Sequence, residues 1–569
     1  MEWIIFLVFV LIFSISSITL LLKVNDNFKI EVPARGGTLS EGIIGSPRFV
    51  NPVLAISDSD KDISSLIYSG LMKVSSSGDL ENDLAKSYTI SDDGTVYTFD
   101  IKENAVFHDG TPITSDDIIF TIQKILDPSI KSLKRANWEG ITVEKIDERT
   151  IKFILKNSYS GFLEIATVGI LPKHIWEKID SNSFPFSNYN VVSIGSGPYK
   201  VSKVNSDSSG IITSYNLKSF DKYIKGRPYI DNFNILFYQN EDDLLNALDS
   251  GNIDNIAGIS SEKATSSALL NSNITLNKTS LARSFGIFFN QSYSPVLRIP
   301  EVRKALALAV NREDIIKNAV NGFGEPLYGP IPNISSNNLD LNISPDDSKI
   351  PNTALAIALL EKNGWTKGVD GIYQKKIATA NKTSSAKKAD TTGDVIKLEF
   401  SISTSNSPEL KKTAEILRDE WKGIGANVTV KIFESGDLTQ NIIATRKYDS
   451  LLFGEVIGRD LDLYSFWHSS QIKPSGLNVA MYTNTDVDKI LERIRISNDK
   501  DARQKDIQKL AEYLQKDLPA IFLFSPTYAY ALSKDVKGSV IKYTARPSDR
   551  WNNISEWYVL TDKIWKFLK

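Results

Sequence analysis

The chain of 569 residues is long enough for three or four domains of ordinary size, or for one large unit with several lobes. Its 66 basic and 68 acidic side chains give a formal charge of −2. That balance argues against a general nucleic-acid-binding protein, which needs a basic excess. Cysteine is absent, which excludes disulfides and thiolate metal sites. Histidine occurs only three times, so a histidine-rich metal site is not expected. We expect neither a metal nor a cofactor.

An uncharged run occupies the amino end. Trp3–Leu22 contains no Asp, Glu, Lys or Arg, and a helix of about 20 residues spans the roughly 30 Å of a bilayer core. A cleaved signal peptide is the alternative. However, no Lys or Arg precedes the run, and its one cluster of small residues, Ser14–Ser17, lies inside it. We therefore expect residues 1–23 to form a retained transmembrane anchor or an uncleaved signal. A polar tether at 24–35 would follow, and the globular part would lie on the extracytoplasmic side of the cell membrane.

Helix and strand signals alternate through the rest of the chain. Asp93-Gly94 predicts a hairpin turn between two alternating segments. Thr114 or Ser115 is a predicted helix N-cap, and Pro408 is a predicted first helical residue after Ser407. The repeated order of helix and then strand predicts an α/β fold.

A segment of biased composition, residues 375–394, lies between two strand patterns. It has a single isoleucine and otherwise only Lys, Ala, Thr, Ser, Asn, Asp and Gly. Such a composition cannot supply a hydrophobic core. We interpret it as a long mobile hairpin loop.

Sequence motifs of common enzyme classes are missing. The chain has neither a P-loop nor an H-E-x-x-H motif. Gly195–Tyr199, GSGPY, lacks the spacing of a dinucleotide-binding loop, so we predict a turn there. His108 beside Asp109 is a candidate general base, but the following glycine favours a turn. His174 is predicted to be packed. We expect no catalytic residues and no enzyme activity.

Several segments together resemble the family 5 extracellular solute-binding proteins, the peptide, dipeptide and nickel receptors of ABC importers. The most specific similarity lies in Leu66–Ile125, with its "DG-tytF-l" and "v-F-DG-p-ta-Dv" patterns. Four shorter segments resemble the family in the expected order: Gly36–Ala55, Gly195–Val201, Pro300–Ile315 and Leu518–Phe524. The resemblance extends over nearly the whole chain after the amino-terminal run.

The resemblance implies an α/β, two-lobed, three-domain periplasmic-binding-protein-like fold of the class II type, with the ligand enclosed between the lobes. Lobe I is expected in 36–69, 195–285 and 526–569, the inserted domain II in 70–194, and lobe II in 286–525. The implied protein is a monomeric receptor. It captures a peptide and delivers it to ABC permease subunits in the membrane, and it binds no nucleic acid.

The resemblance also places a candidate ligand site in Lys447–Ser470. Peptide-binding relatives carry a tryptophan here, followed by an aspartate that pairs with the ammonium group of the peptide. In this sequence those positions are Glu455 and Gly458. Glu455, Asp460 or Asp462 could supply the missing charge, because an enclosed ammonium without a partner is costly. Alternatively, these acids are surface loop charges or helix caps.

Three further candidate residues are aromatic or basic. Tyr464 and Trp467 are either pocket walls or core aromatics, and Arg283 is either a partner for a ligand carboxylate or a member of a structural ion pair. The alternative functions are a receptor for a nickel complex or an oligosaccharide, and a surface hydrolase or chaperone on the same scaffold.

Replacing residues 375–394 with a short Gly-Ser turn should leave the melting temperature nearly unchanged, because this composition contributes nothing to a core. Differential scanning calorimetry of the two proteins measures the effect. A fall of many degrees, or loss of expression, would show that the segment packs against the rest of the protein.

Overall fold

The computed structural model describes residues 2–265, 269, 273–332, 351–377, 394–458, 461–497, 499–542 and 544–565. The helices in these ranges are α1 (Glu2–Asn27), α2 (Asp58–Ile67), α3 (Ser115–Leu126), α4 (Arg135–Trp138), α5 (Phe162–Ile165), α6 (Lys173–Trp176), α7 (Glu241–Asp249), α8 (Pro300–Ala309), α9 (Arg312–Asn318), α10 (Thr353–Lys362), α11 (Pro408–Gly423), α12 (Ser435–Asp437), α13 (Tyr464–Trp467), α14 (Thr485–Ile496) and α15 (Lys500–Asp517).

Strands alternate with these helices, as the sequence predicts. They are β1 (Lys29–Ala34), β2 (Thr38–Ile44), β3 (Met72–Val74), β4 (Leu80–Asn82), β5 (Ala85–Ile90), β6 (Val96–Ile101), β7 (Ile141–Lys145), β8 (Thr150–Leu155), β9 (Tyr199–Ser206), β10 (Ile212–Ser219), β11 (Asn232–Tyr238), β12 (Asn255–Ala257), β13 (Ile274–Ser280), β14 (Arg283–Phe289), β15 (Gly324–Pro326), β16 (Thr366–Lys367), β17 (Tyr373–Ile377), β18 (Asp394–Lys397), β19 (Glu399–Ser405), β20 (Asn427–Phe433), β21 (Ser450–Val456), β22 (Ala520–Ser533) and β23 (Leu560–Trp565).

The long strand β22 is the axis of a mixed 12-stranded sheet. On one side lie β20, β19, β21 and β14, which we call the β14 half. On the other lie β12, β2, β11, β10 and β9, the β2 half. Strands β13 and β15 also pair with β22. The carboxyl end of β22 pairs with β13 and its amino end with β14, so one continuous strand joins the two halves.

Hydrophobic residues of the β14 half point alternately to two cores, as the period of a strand requires. Ile287 packs with Leu306 of α8 and Leu417 of α11 on one face. Its neighbour Phe288 packs with Leu491 of α14 on the other face. Helices therefore cover both faces of this half of the sheet.

A separate four-stranded antiparallel sheet, in the order β5-β6-β8-β7, lies within the predicted inserted domain. The predicted hairpin turn is confirmed between β5 and β6, where Gly94 has a φ of +69° that a glycine adopts without strain. The predicted N-cap is confirmed at Thr114, whose side chain forms a capping box with Asp117 at the start of α3.

The amino-terminal helix α1 exposes its apolar side chains from Trp3 to Phe13. Among the described residues, no helix is long and apolar enough to cross a membrane. The predicted span continues into residues 18–22, whose side chains lie outside the described part of the chain. The described residues therefore do not support the transmembrane anchor expected from the sequence.

The predicted polar tether is wrong in most of its length. Helix α1 continues to Asn27, and β1 then pairs antiparallel with β23 at the far end of the chain. Lys29 lies opposite Trp565, and Ala34 lies opposite Leu560. The partner strand lies more than 500 residues away in the sequence, so local composition gave no sign of the pairing.

The biased segment is bounded by a β-hairpin. Strands β17 and β18 pair antiparallel, with Ile377 opposite Asp394. The ends of the predicted loop, Lys375–Ile377 and Asp394, therefore belong to strands, and Lys375 also forms an ion pair of 3.0 Å with Glu301 of α8. Residues 378–393 lie outside the described residues. The replacement proposed above should spare the paired strand residues.

The GSGPY segment is a close backbone contact and not the start of a helix, since β9 begins at Tyr199. The amide of Gly197 donates to the carbonyl of Ile67 at 2.7 Å. A Cβ atom added to Gly195 would lie 2.1 Å from that same oxygen, so only glycine fits there. The segment thereby fixes the carboxyl end of α2 against the body of the protein.

A fully buried arginine joins the two ends of the globular chain. Arg550, in the 3₁₀ helix Pro547–Trp551, donates from Nε to Glu41 of β2 at 2.8 Å and from a terminal nitrogen to Asp62 of α2 at 2.7 Å. Tyr530 of β22 donates to the second oxygen of Glu41 at 2.5 Å. We call Arg550, Glu41, Asp62 and Tyr530 the Arg550 cluster.

Protonation of Asp62 makes the free energy of unfolding depend on pH. Burial raises the pKa of its carboxyl from 3.8 to about 6, although the adjacent Arg550 opposes the rise. The folded protein therefore holds this proton more tightly than the unfolded chain does. The resulting stabilisation is complete below pH 4 and is lost as the pH rises to about 6, an effect of about 3 kcal/mol.

Asp62→Asn should abolish that dependence, because the amide oxygen still accepts from Arg550 while the titrating group is gone. We expect the free energy of unfolding of the variant, relative to wild type, to increase by up to about 3 kcal/mol between pH 4 and pH 6. Urea unfolding at several pH values measures the difference. Glu177→Gln, at an exposed position outside the Arg550 cluster, is the control and should run parallel to wild type. A parallel curve for Asp62→Asn as well would contradict the assignment.

Candidate functional site

A cavity of about 330 Å³ lies where four separate stretches of the chain meet. Helix α2 contributes Lys61 and Ser64 to its wall, and Tyr68 directly follows the helix. Residues between Lys134 and Gly169 form the facing wall, Gly458 follows β21, and Arg546 and Ser548 precede and begin the Pro547–Trp551 helix. The cavity therefore has walls from both halves of the large sheet and from the chain around the small sheet.

Positive charge dominates the cavity. Among the described residues, Lys61, Lys134 and Arg546 line it together with one acid, Glu164. Arg546 lies 3.8 Å from Glu164. Burial, assisted by the nearby charges of Arg546 and Lys61, lowers the pKa of the Lys134 ammonium to about 8. An anionic group of a ligand is the complement of such a wall.

Glu455 is a buried acid on β21, and only 2% of its surface is exposed. Neither carboxylate oxygen has a hydrogen-bond partner among the described residues. Burial raises the pKa of this carboxyl well above its usual value. Directly opposite on β14 lies Ser284, whose buried hydroxyl also lacks a partner. Opposed residues of an antiparallel pair share a face, so two unused polar groups lie side by side, close in sequence to the cavity residue Gly458.

Arg283 precedes Ser284 on β14 and is half-buried. Its Nε is buried without a hydrogen-bond partner, and within the described ranges the side chain makes no ion pair. The structural ion pair considered for this residue is therefore not present in that part of the protein. Arg283 stays a candidate for a ligand carboxylate.

The other predicted acids differ from Glu455. Asp462 is already occupied, because it lies 3.1 Å from Nε of Arg495 and accepts from the amide of Tyr464 at 3.0 Å. That amide begins α13, so Asp462 acts locally as a helix-start acceptor. Asp460 lies outside the described residues.

The two predicted aromatic residues occupy different environments. Tyr464 is half-buried, stacks on His468 with ring centroids 4.1 Å apart, and lies beneath the guanidinium of Arg495 at 4.4 Å. Trp467 is fully buried in the core next to Phe288. Of the two, only Tyr464 lines a surface cavity.

A contact between distant parts of the chain closes one side of the site. The loop after β8 meets the carboxyl end of α14, where the amide of Ser160 donates to the carbonyl of Arg495 at 3.0 Å. Ser158 donates to the carbonyl of Ile496 at 2.9 Å. Above them, the guanidinium of Arg495 lies between Tyr464 and Tyr159. We call this set the Arg495 contact.

The candidate histidines do not form a catalytic arrangement. His108 is buried, its pKa is lowered to about 4 by burial, and its Nε2 lies 3.1 Å from the carbonyl of Gly197. Asp109 contacts His174 instead, at 2.8 Å. The same His174 nitrogen also faces Thr111 at 3.5 Å, whereas a relay from a hydroxyl to a carboxylate needs both ring nitrogens.

Two residues of the site were missed from the sequence. Lys134 is one of several lysines in a polar segment, and Arg495 is one of two arginines near the end of an amphipathic helix. Neither position carries a local signal, because their partners lie in other parts of the chain.

A charged cavity walled by four stretches of an α/β protein is a candidate site for a small ligand. The profile described as "Bacterial extracellular solute-binding proteins, family 5 Middle" matches residues 79–474. The oligopeptide-binding protein AppA of Bacillus subtilis (strain 168) is 27% identical over 541 residues, which cover 93% of this chain and 92% of AppA.

Solved structures agree with the sequence similarity. The structure of AppA from Bacillus subtilis with a nonapeptide has a TM-score of 0.66 at 26% identity and covers 93% of this chain and 100% of that one. NikZ from Campylobacter jejuni with Ni(L-His) has a TM-score of 0.67 at 26% identity and covers 92% and 99%. The chain belongs to family 5 of the bacterial extracellular solute-binding proteins, a family of receptors. The resemblance described from the sequence is confirmed.

Removing the Arg495 guanidinium should loosen the contact between the loop after β8 and α14. In Arg495→Met we expect a more open average conformation and a larger radius of gyration by small-angle X-ray scattering. Stability should change by less than about 1 kcal/mol, because a partly exposed ion pair contributes little. Arg493→Met is the matched control, since it lies on the same helix and pairs with Asp506 of α15. Scattering curves that coincide for both variants and wild type would contradict a closing role for Arg495.

Proposed function

We propose that this protein is a receptor that captures peptides between its lobes and presents them to an ABC-type permease on the extracytoplasmic side of a membrane. The observation that carries the proposal is the Glu455 carboxyl group, which is buried and has no hydrogen-bond partner for either oxygen among the residues that the structure describes. A buried carboxylate without a donor is costly, so this position is tolerated most readily if a ligand supplies the donors. The ammonium terminus of a peptide is such a donor.

The similarity to AppA supports a peptide as the ligand, since that relative is named for oligopeptide binding and was solved with a nonapeptide. Glu455 stands where peptide-binding relatives carry tryptophan, three residues before their ammonium-binding aspartate. We infer that Glu455 provides the negative charge for the peptide ammonium from three residues earlier in the chain, because its side chain is longer than that of an aspartate. Arg283 and Ser284, next to it on β14, offer further polar groups to a bound backbone.

In the domain arrangement that we propose, the boundaries between the lobes lie within strands of the large sheet. Lobe I would comprise 36–69, 195–285 and 526–569, domain II 70–194, and lobe II 286–525. The crossings between lobes I and II would then lie at Phe285–Gly286 and at Ser525–Pro526, where β14 and β22 run side by side. The Arg495 contact would join domain II to lobe II when the receptor is closed.

Glu455→Gln should weaken binding of a peptide with a free amino terminus by about 2–5 kcal/mol, or roughly 30-fold to several thousand-fold. Calorimetric titration with a library-selected peptide measures this loss. N-acetylation of the peptide should weaken binding to wild type and have a smaller effect on the variant. Glu399→Gln, at an exposed position on β19, is the control. Asp462→Asn should cost less than about 1 kcal/mol in binding if Arg495 already satisfies that carboxylate.

Binding to Glu455 also has a proton signature. Because burial raises the carboxyl pKa in the free protein, an arriving ammonium group favours the ionised form and releases a proton. The apparent affinity should therefore rise with pH through the range in which the Glu455 carboxyl of the free protein loses its proton. Titrations in buffers of different ionisation enthalpy count the released protons. Equal affinity of Glu455→Gln and wild type, with no proton release, would reject this role.

A further inference from the structure

Lys134 is a cation with unused hydrogen-bonding capacity in the wall of the cavity. Its Nζ donates to the carbonyl of Pro52 at 2.5 Å. No carboxylate lies within ion-pair distance of it among the described residues. An ammonium group has three donors, so two are left without a protein partner. The side chain is held partly inside the protein, and its charge faces Arg546 and Lys61 across the cavity.

The cavity wall supplies too little negative charge to neutralise this lysine. Of the residues that the structure describes, three cations line the cavity with a single acid, and that acid, Glu164, lies beside Arg546. Ser64, also in the wall, is more than nine-tenths buried, and its hydroxyl has no partner among the described residues. An unpaired ammonium and an unpaired hydroxyl in one cavity are both satisfied by a single anionic acceptor.

We propose that Lys134, with Arg546 and Ser64, forms a subsite for a carboxylate of the bound ligand. The proposal rests on the peptide-receptor function and narrows it, because the captured peptides would place an acidic group in this cavity. A carboxyl terminus and an acidic side chain have the same chemistry, so both are sources of the carboxylate. The subsite is separate from Glu455, which would hold a group of the opposite charge.

The test compares peptides that differ only in this charge. Wild-type protein is freed of bound ligand by unfolding and refolding. It is then offered an equimolar tetrapeptide library without Asp or Glu, half with free carboxyl ends and half amidated, and native mass spectrometry identifies what is retained. We expect wild type to prefer the free acids by about 30-fold or more. Lys134→Met should remove the preference, and Lys178→Met, at an exposed position, should preserve it.

A second peptide library distinguishes a carboxyl terminus from an acidic side chain as the source of the carboxylate. All its members are amidated at the carboxyl end, and they contain Asp and Glu. Retention of its acidic members by wild type, and their loss in Lys134→Met, assigns the subsite to an acidic side chain. If wild type shows no preference for free acids in the first library and none for acidic members in the second, the subsite is overturned while the receptor function stays intact. If Lys134→Met fails to fold, Lys134→Gln replaces it, with circular dichroism as the check on folding.

A measurement that needs no peptide distinguishes failure of the carboxylate subsite from failure of the peptide-receptor function. If wild type retains no peptide, the peptide-receptor proposal fails. Glutarate is then titrated into protein with ¹³C-labelled lysine side chains, with glutaramide as the neutral control. A shift of the Lys134 signal, identified by its loss in Lys134→Met, with glutarate alone supports a carboxylate site. An unmoved signal overturns it.

Discussion

The guanidinium of Arg550 is the charge on which the arrangement of the chain depends most. It lies in the interior between Glu41 of β2 and Asp62 of α2, and Tyr530 of β22 binds the same glutamate. Removing one member of such a buried set leaves an uncompensated charge, at a cost of about 3–5 kcal/mol. The Arg550 cluster therefore holds a strand, a helix and the last part of the chain in one fixed relation.

The same elements position the cavity. Helix α2 turns Asp62 towards Arg550 and Ser64 towards the cavity, and Arg546 lies one helical turn before Arg550. The buried ion pairs of the Arg550 cluster thus fix the positions of the residues that line the cavity. The cationic groups of that wall are held in place by interactions that no ligand has to provide.

Two unpartnered polar groups lie opposite each other on neighbouring strands of the β14 half. Glu455 and Ser284 are buried without hydrogen bonds among the described residues, although most buried polar groups in proteins are satisfied. The hydrophobic cores on both faces of the β14 half offset this cost. An empty ligand-binding site is expected to contain unsatisfied polar groups, because a hydrogen bond from the ligand to such a group removes its desolvation penalty and so strengthens binding.

Features with local causes were predictable from the sequence, and features with distant partners were not. The turn at Gly94, the cap at Thr114 and the start of α11 at Pro408 follow from neighbouring residues, and all three are confirmed. The pairing of β1 with β23 joins opposite ends of the chain and has no local signature. Glu455 was found as a departure from a family pattern, whereas Lys134 looked like any surface lysine.

The strand β22 has a consequence for how strongly a ligand is held. Beside it, the amide of Leu281 donates to the carbonyl of Pro526 at 2.9 Å, and the hydroxyl of Ser525 donates to the carbonyl of Leu281 at 2.8 Å. A rotation of the two sheet halves about this paired crossing alters the twist between strands and leaves their ladders intact. If only a fraction of the unliganded protein has the binding-competent arrangement of the two halves, the apparent affinity is reduced by that fraction. Sequence changes far from the ligand can therefore tune capture and release by shifting this balance alone.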